Sequence, residues 1–341
     1  MCNEVTPLSI IGRGSGRLSG PRREANEMDV VTFGETMVLL AASESGPLRF
    51  ANTFTRHAAG TESNVAIGLT RLGQSVGWFS RVGDDEFGQY LVSTIRGEGV
   101  DTSHVIVDPL APTGLVLKEK RELGPRKVIY YRNGSAASRL TPDDLDPEYI
   151  GRARFLHLTG ITPALSPSCL ETVRTAAEIA RKRGVTVTFD PNLRLRLWTI
   201  ELARQTMRDL MPLIDIVLPG IEEAEFLTGE TDPDRAADAI RALGPRMVVI
   251  KLGPRGSMAV NDTERIRAPG IPLARVVDPV GAGDGFAAGF LAGQLRGLST
   301  SESLKIGNTV GAFATTVVGD IEGLPTWREV QEIRLDQDLV R

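Results

Sequence analysis

The sequence contains few of the residues that build metal clusters and disulfide frameworks. Its 341 residues include two cysteines and three histidines. Cys2 and Cys169 lack a metal-binding spacing and cannot form a disulfide framework, which favours a reducing, cytoplasmic setting. His57, His104 and His157 are isolated from one another, so a structural role is predicted for each.

Several other features are also absent. No apolar run approaches the roughly 18 residues that a membrane span requires. The net charge of −4 provides no excess of basic residues for a nucleic acid or an acidic membrane surface. The Gly-x-x-x-x-Gly-Lys-[Ser/Thr] motif is missing, which excludes a P-loop enzyme. Gly-x-Gly-x-x-Gly does not follow the first predicted strand, which counts against a dinucleotide-binding oxidoreductase.

What is present is typical of a globular α/β protein, with 41% hydrophobic and 24% charged residues. From residue 29, short apolar strands alternate with helical patterns, which predicts a mainly parallel sheet covered on both faces. The predicted strands are 30–34, 76–80, 155–158, 185–190, 214–218 and 247–251, and the predicted helices include 64–72, 86–96 and 167–183. Predicted N-caps are Ser63, Asp84 or Asp85, and Ser166, and Gly73 is the predicted C′ residue.

The domain organisation follows from composition. Residues 1–28 are rich in Gly, Ser and Arg and are predicted to be a disordered tail. A folded domain is predicted over 29–330, followed by a C-terminal tail over 331–341. Two segments, about 45–58 and 110–134, interrupt the alternation and predict a small β-lid with a turn around Gly124-Pro125. The alternative is a surface hairpin without function.

The segment from Asp278 to Asp284, Asp-Pro-Val-Gly-Ala-Gly-Asp, leads into an apolar helical pattern. Small residues at 281–283 allow the backbone amides to approach an anion at the start of a helix. Asp284 would place a carboxylate beside that anion. A phosphoryl group under attack needs both donors for its charge and a base for the incoming hydroxyl. The alternative interpretation is a simple turn with an N-cap.

Other distinctive residues also follow predicted strands. They are Gly34, the segment 190–194 and the segment 251–253, which join the turn at 278–284. Open α/β sheets bind ligands at the carboxyl ends of their strands. The sequence therefore predicts one ligand site at this edge of the sheet.

Two segments resemble the two signatures of the ribokinase-like (PfkB-type) sugar kinases, and the resemblance covers roughly 29–330. One is Ala59-Gly-Thr-Glu-Ser-Asn-Val-Ala66, followed by Gly73 and Gly83, and the other is the 278–284 segment. Within the family the chain is most similar to the 2-keto-3-deoxygluconate kinases, through residues 32–37, 130–138, 157–166, 189–198 and 319–325. The resemblance implies a three-layer αβα sandwich and ATP- and Mg²⁺-dependent phosphorylation of 2-dehydro-3-deoxy-D-gluconate at its terminal O6.

The resemblance also implies roles for individual residues. Asp284 would be the general base, and the amides of Gly281, Ala282 and Gly283 would form the anion hole. The implied substrate-binding residues are Gly34, Gly60, Asn64, Lys118, Tyr131, Arg132, Arg194 and Asp284. The implied nucleotide-binding residues are Asn192, Lys251, Gly253, Gly256, Gly281, Gly283 and Asn308. Glu223 would organise Mg²⁺ through water, unless it is only a solvated charge.

Departures from the family pattern keep other activities open. The loop Gly34-Glu35 lacks ribokinase's aspartate, which argues against ribose, and Val116 and Lys118 replace a tyrosine and an arginine of some relatives. Gly220 replaces the asparagine that begins the family's Asn-x-x-Glu. A fructokinase, a 5-dehydro-2-deoxygluconokinase and a non-catalytic sugar- or nucleotide-binding regulator remain alternatives.

Further expectations concern partners and ions. The resemblance implies a homo-oligomer formed through the β-lid, and it leaves open a monovalent-cation site, such as one for K⁺, near Asp278. A sugar acid and ATP would be the small-molecule partners, with no nucleic acid and no membrane. Arg194 and Lys118 would bind the acid end of the substrate, unless Arg194 only pairs with a surface carboxylate.

Overall fold

The computed structural model describes residues 28–121, 123 and 127–339, with side chains up to residue 333. The disordered tail predicted for 1–28, apart from Met28, and the lid turn at Gly124-Pro125 lie outside the described residues. The described chain forms fourteen strands and ten α-helices. The strands are β1 Met28–Phe33, β2 Met37–Ser45, β3 Phe54–Ala59, β4 Val76–Phe79, β5 Arg81–Gly83, β6 Ile106–Asp108, β7 Leu115–Lys120, β8 Val128–Tyr131, β9 Ala153–Thr159, β10 Thr186–Asp190, β11 Ile216–Val217, β12 Met247–Lys251, β13 Ser257–Val260 and β14 Arg265–Ala268. The helices are α1 Thr61–Arg71, α2 Glu86–Gly97, α3 Pro147–Gly151, α4 Pro167–Lys182, α5 Ile200–Leu210, α6 Ile221–Thr228, α7 Pro233–Arg241, α8 Ala282–Leu295, α9 Thr300–Ala314 and α10 Trp327–Leu339.

The main sheet has eight strands in the order β14-β13-β12-β11-β10-β9-β1-β4. The six strands from β12 to β4 are parallel, which confirms the predicted sheet. Strands β13 and β14 extend one edge in antiparallel fashion and were not predicted. Both contain four residues, so they carry too short a pattern to separate from the surrounding loops.

Helices cover the sheet on both faces, which confirms the three-layer sandwich. Helices α4 to α7 pack on one face around a core that includes Phe189. Helices α1, α8 and α9 pack on the other, around a core that includes Trp78 and Phe290. Apolar side chains of the same strands alternate between the two cores, as expected for strands buried on both faces. The carboxyl ends of the parallel strands therefore emerge at one edge, between the two helical layers.

A second, four-stranded sheet with the order β3-β2-β7-β8 forms the lid. Strand β2 pairs antiparallel with β3 and parallel with β7. The predicted boundary near residue 45 was wrong, because β2 begins at Met37 and is a central lid strand. Met37 and Leu39 pack on one face of this sheet, while Val38 packs with Leu91 of α2 on the other.

The predicted helix boundaries are confirmed where a side chain caps the helix. Asp85 accepts a hydrogen bond from the amide of Gly88, and Ser166 accepts one from the amide of Cys169. Gly73 has a φ of 82°, as predicted for a C′ residue. The cap predicted at Ser63 was wrong: α1 begins at Thr61, two residues earlier, and the Ser63 hydroxyl donates to the carbonyl of Gly60.

The end of the chain also differs from the prediction. Residues 331–339, predicted to be a tail, continue α10, so the boundary at 330 falls inside a helix. Val330 is fully buried against the second core, which holds this helix on the domain. Among the described residues, no helix combines the length and apolar character needed to cross a bilayer.

The three histidines lie apart, as predicted. His157 is buried, with Nδ1 bonded to the Thr188 hydroxyl, and burial lowers its pKa to about 3. His104 stacks on Tyr149 with ring centroids 3.7 Å apart. Within the described chain, no group of three or more metal-ligating side chains forms a metal site.

Candidate active site

A cavity of about 1280 Å³ lies between the carboxyl ends of the parallel strands and the lid. Strand ends contribute Asp190 and Lys251, the turn before α8 contributes Gly281, and the first turn of α8 contributes Gly283. Its lid side is formed by Met37, Leu39, Val116, Lys118 and Tyr130. The segments predicted to converge therefore meet in one cavity, although not every predicted residue lines it.

Asp284 lies in the first turn of α8, on the wall of this cavity. The helix begins at Ala282, and its N-cap residue is Gly281, whose φ of 79° favours glycine. A Cβ atom at this position would lie 2.7 Å from the carbonyl oxygen of Asp320, so the close approach also requires glycine. The first N–H groups of a helix form the positive end of its dipole, which suits an anion. The amide of Ala282 also donates to the carbonyl of Pro279 at 3.4 Å. Gly283 lines the cavity as well, whereas Ala282 is not among the lining residues.

Two amides hold the Asp284 carboxylate. Asn64 Nδ2 donates to Oδ2 at 2.8 Å, and Asn192 Nδ2 approaches Oδ1 at 3.4 Å. Asn192 has a φ of 38° and was predicted to bind the nucleotide, but its amide faces the carboxylate and Thr61 Oγ1. Only 7% of Asp284 is exposed. Burial, together with the charges of Asp190 and Asp320, raises the pKa of Asp284 to about 7, against the hydrogen bond from Asn64.

Lys251 lies beside the α8 turn, as predicted. Its Nζ atom is 2.6 Å from Asp190 Oδ2, and it would be 3.5 Å from a Cβ atom at Gly283. Burial lowers the pKa of Lys251, but the negative charges of Asp190 and Glu223 outweigh this effect and raise it. A permanent positive charge therefore faces the anion-binding turn.

Glu223 lines the cavity, but its carboxylate also has a structural role. One oxygen accepts the amide of Gly220 at 2.7 Å, and the other accepts the amide of Leu193 at 2.7 Å. Its carboxylate therefore caps the first turn of α6 by accepting the amide of the N-cap residue Gly220, and it is not only a solvated charge. Direct metal ligation would compete with both bonds, whereas a contact through water would leave them in place.

The predicted sugar-facing residues divide into two groups. Gly60 and Asn64 line the cavity, and Gly34 is not among the lining residues. Gly34 has a φ of 156°, and a Cβ atom there would lie 2.3 Å from Cδ of the buried Glu62. The glycine therefore makes room for Glu62, which accepts hydrogen bonds from the hydroxyls of Thr159 and Thr162.

The three cations among the predicted substrate-binding residues have different partners; two of them, Lys118 and Arg194, were predicted to bind the acid end. Lys118 pairs with Asp278 at 2.7 Å, next to the α8 turn, and Arg132 Nε pairs with the buried Glu35 at 2.6 Å. The Arg194 guanidinium is exposed, donates to the carbonyl of Leu193, and meets no carboxylate in the described part of the chain. All three cations line the cavity. Of these three, Arg194 is the cation that no described carboxylate offsets; Arg196, which also lines the cavity, donates to the carbonyl of Val128.

The two tyrosines of β8 differ in their relation to the cavity, and the predicted contact of Tyr131 with the substrate stays a prediction. Tyr131 is 62% exposed and points away from the cavity, while Tyr130 is among the residues that line it. The alternation of side chains along β8 allows only one of the two to face inward.

Gly253, Gly256 and Asn308 do not line the cavity among the described residues. Gly256 has a φ of 95°, and a Cβ atom there would lie 2.1 Å from the carbonyl oxygen of Ala268. Asn308 Nδ2 donates to the carbonyl of Pro269 at 2.9 Å. These residues fix the chain around β14, and their predicted contact with a nucleotide stays a prediction.

The loop between α9 and α10 connects several parts of the site. Arg71 Nη1 donates to the carbonyls of Ile321 and Leu324, at 2.6 and 2.9 Å. Glu322 pairs with His57 of the lid at 2.5 Å. Asp320 lines the cavity. Residues 319–325 were noted in the sequence only for their resemblance, and the position of Asp320 on the cavity wall was missed because loop residues without periodicity give no direction for a side chain.

The fold and the site define a carbohydrate kinase. The model of the pfkB family carbohydrate kinases matches residues 27–327, and the chain belongs to this family. The 2-dehydro-3-deoxygluconokinase of Bacillus subtilis (strain 168) is 44% identical over 302 residues, which are 88% of this chain and 93% of the relative. The 2-dehydro-3-deoxygluconokinase of Thermoproteus tenax is 38% identical over 323 residues, 93% of this chain and 98% of the relative. The structure of a putative Ribokinase II from E. coli, in complex with ATP and Mg²⁺, superposes with a TM-score of 0.84 at 27% identity. The superposition covers 91% of this chain and 99% of the E. coli chain.

Proposed function

We propose that this carbohydrate kinase transfers the γ-phosphoryl group of ATP to O6 of 2-dehydro-3-deoxy-D-gluconate. Two relatives named 2-dehydro-3-deoxygluconokinase align over most of the chain. The observation that carries the proposal is that one cavity contains both Asp284, at the start of α8, and Arg194, whose guanidinium has no carboxylate partner among the described residues. The first suits phosphoryl transfer and the second suits an acidic sugar.

In this proposal Asp284 accepts the proton of the O6 hydroxyl as that oxygen attacks phosphorus. Its raised pKa leaves it poised between protonation states near neutral pH, where a general base is most effective. The N–H groups at 281–283 and the ammonium of Lys251 would stabilise charge on the transferred group. ATP supplies the phosphoryl group, and Mg²⁺ would be held mainly by its phosphates and by water, with Glu223 beyond the water.

Arg194 is the proposed anchor of the substrate carboxylate. Lys118 and Arg132 already face Asp278 and Glu35, so their charges are largely offset within the protein. A planar guanidinium also binds a carboxylate through two parallel hydrogen bonds. Lys118 can contribute only if its pair with Asp278 opens.

We expect Arg194→Gln to raise the KM for the sugar acid by roughly 10- to 100-fold, because a charge-assisted hydrogen bond is worth about 1.5–3 kcal/mol. The kcat should change little, since the reacting end of the substrate is not touched. Steady-state ADP-release assays measure both constants. Arg204→Gln, an exposed charge on α5 that contacts the Phe226 carbonyl, is the matched control and should leave KM unchanged. An unaltered KM in Arg194→Gln would show that this residue does not bind the carboxylate.

A substrate panel tests the proposal as a whole. ADP release would be followed with sugar acids and neutral hexoses, and the sugar acid is expected to have the highest kcat/KM. A preference for fructose would favour the fructokinase alternative, and a preference for 5-dehydro-2-deoxygluconate would favour the other kinase. Calorimetric binding of sugar and ATP without turnover would favour the non-catalytic regulator.

Two further features belong to the same proposal. A homo-oligomer through the lid is supported by the sheet edges at β3 and β8, which could pair with another chain. A monovalent cation such as K⁺ near Asp278 would have to share this carboxylate with Lys118. Light scattering tests the first, and activity in KCl compared with tetramethylammonium chloride tests the second.

A further inference from the structure

Asp278 is a buried carboxylate at the base of the anion-binding turn, residues 278–283. It is 1% exposed and lies just before Gly281, the N-cap residue of α8. The amides of Val277 and Asp278 donate to the carbonyl of Thr315 at 2.8 and 3.3 Å, so this segment is tied to the end of α9. Asp278 Oδ1 also accepts the amide of Val280 at 3.4 Å, within the turn itself. The carboxylate is therefore fixed next to the N–H groups that are proposed to bind the nucleotide phosphates.

The negative charge of Asp278 opposes the binding of phosphates to this turn, because a buried carboxylate is poorly screened by water. Its charge reaches the cavity wall: burial raises the pKa of Asp320 to about 6, Lys118 opposes this rise, and Asp278 adds to it. Two lysines offset the acids around the turn. Lys251 pairs with Asp190 at 2.6 Å, and Lys118 Nζ lies 2.7 Å from Asp278 Oδ2. Each buried carboxylate thus has its own ammonium group.

The two lysines come from different parts of the fold. Lys251 ends a strand of the main sheet, whereas Lys118 lies on β7 of the lid. Among the residues that the structure describes, Lys118 is the cation that pairs with Asp278. A ligand reaches the turn through the cavity between the lid and the strand ends. If the lid moves away from the strand ends, the ammonium of Lys118 moves with it and Asp278 loses its counter-charge.

We propose that Lys118 is a positioning residue whose ammonium serves as a built-in monovalent cation for the anion-binding turn, so that the turn binds the triphosphate tightly only when the lid is closed. This inference rests on the proposed function, and it gives Lys118 a role other than binding the substrate carboxylate. Phosphates are then held firmly only over an enclosed sugar site, which limits hydrolysis of the nucleotide by water. Since the cation is part of the chain, wild type should be equally active in KCl and in tetramethylammonium chloride.

The test is chemical rescue of Lys118→Ala. Propylammonium replaces the atoms that this substitution removes, including the ammonium group, and tetramethylammonium at the same ionic strength cannot donate a hydrogen bond. Without an amine, the KM for ATP should rise roughly 10- to 100-fold, as expected for the loss of a hydrogen bond between charged groups. The KM for the sugar acid should change little. Propylammonium should restore most of the kcat/KM for ATP in the variant and should not affect wild type.

Further variants keep the result interpretable. Lys118→Ala combined with Asp278→Asn removes the uncompensated carboxylate, so it should recover most of the KM for ATP without an amine and should no longer respond to propylammonium. Lys118→Met keeps the length of the side chain and should show the same defect and the same recovery with Asp278→Asn, which serves if the alanine variant does not fold. Lys120→Ala is the matched control: Lys120 lies on the same lid strand, is exposed, and donates to the carbonyl of Ser43 at 3.1 Å. Its constants should equal those of wild type.

Three outcomes would overturn the inference. In the first, Lys118→Ala raises only the KM for the sugar acid, which would return this lysine to the substrate carboxylate. In the second, neither propylammonium nor Asp278→Asn restores the variant, which would limit Lys118 to holding the lid. In the third, wild type itself requires K⁺. If wild type phosphorylates no sugar, the proposed function fails, but calorimetry of ATP binding to the same variants, with and without propylammonium, still decides the role of Lys118.

Discussion

Replacing Asp284 by Asn is expected to lower kcat by about 10²–10⁴-fold, the usual contribution of a positioned general base. Asparagine keeps the size of the side chain and can still accept the hydrogen bond from Asn64, so binding of sugar and ATP should change little. Steady-state kinetics measure the loss, and calorimetry with each ligand checks that binding survives. A variant that phosphorylates at the wild-type rate would show that another group takes the proton.

The same carboxylate sets the expected pH dependence. A general base must be deprotonated, so kcat/KM should fall as the pH drops below about 7, the pKa of Asp284 in the free protein. This acid limb should be absent from the residual activity of Asp284→Asn. If the kcat/KM of wild type instead falls only near pH 4, where an ordinary aspartate titrates, burial does not raise the pKa of Asp284.

Stability provides an independent control for this assignment. The folded-state pKa of Asp284 is about 7 and lies above its ordinary value of 3.8, so the folded protein binds the proton more tightly. This stabilisation is complete below pH 4 and is lost as the pH rises through 7. Asp284→Asn should therefore gain stability over wild type, on the order of a few kcal/mol, between pH 4 and 7 and keep it above pH 7. Urea unfolding at pH 4, 6 and 8 measures the difference.

The second large effect is expected at Lys251. Lys251→Met leaves the Asp190 carboxylate, 1% exposed, without its cation at 2.6 Å. Removing one partner of a buried ion pair typically costs about 3–5 kcal/mol. The variant should also lose activity, because the ammonium beside the α8 turn is gone.

A double variant separates the two roles of Lys251. Lys251→Met combined with Asp190→Asn removes the uncompensated charge and should recover most of the free energy of unfolding. It should not recover kcat, since the phosphate-facing charge is still absent. If both the free energy of unfolding and kcat recover, Lys251 acts only in folding. If neither quantity recovers, Asp190 has a further role.

The fold could be predicted largely because its parallel strands are buried on both faces and alternate with helices. Strand β2 could not be assigned to the lid in this way. Met37 and Leu39 face the cavity while Val38 faces α2, so β2 is buried on both faces and resembles a strand of the main sheet. Whether it joins the lid is decided by pairing with β7, in which Val38 is in register with Leu115, 77 positions further along the sequence (115 − 38). Such pairings leave no local pattern.

The site was predictable where chemistry and backbone geometry coincide in a short segment. Asp284 and the glycines before it carry both, and the structure brings them to the cavity as expected. The pairing of Lys118 with Asp278 joins residues 160 positions apart, so a basic residue on the lid could not be recognised as already neutralised.

The attachment of the α9–α10 loop has a consequence for how this enzyme could diverge. Arg71 donates hydrogen bonds to main-chain carbonyls of the loop, which every amino acid supplies, and not to its side chains. Residue 320, whose side chain lines the cavity, can therefore change without releasing the loop from the domain. A duplicated copy of the chain could acquire a different cavity wall at this position while its fold stays intact.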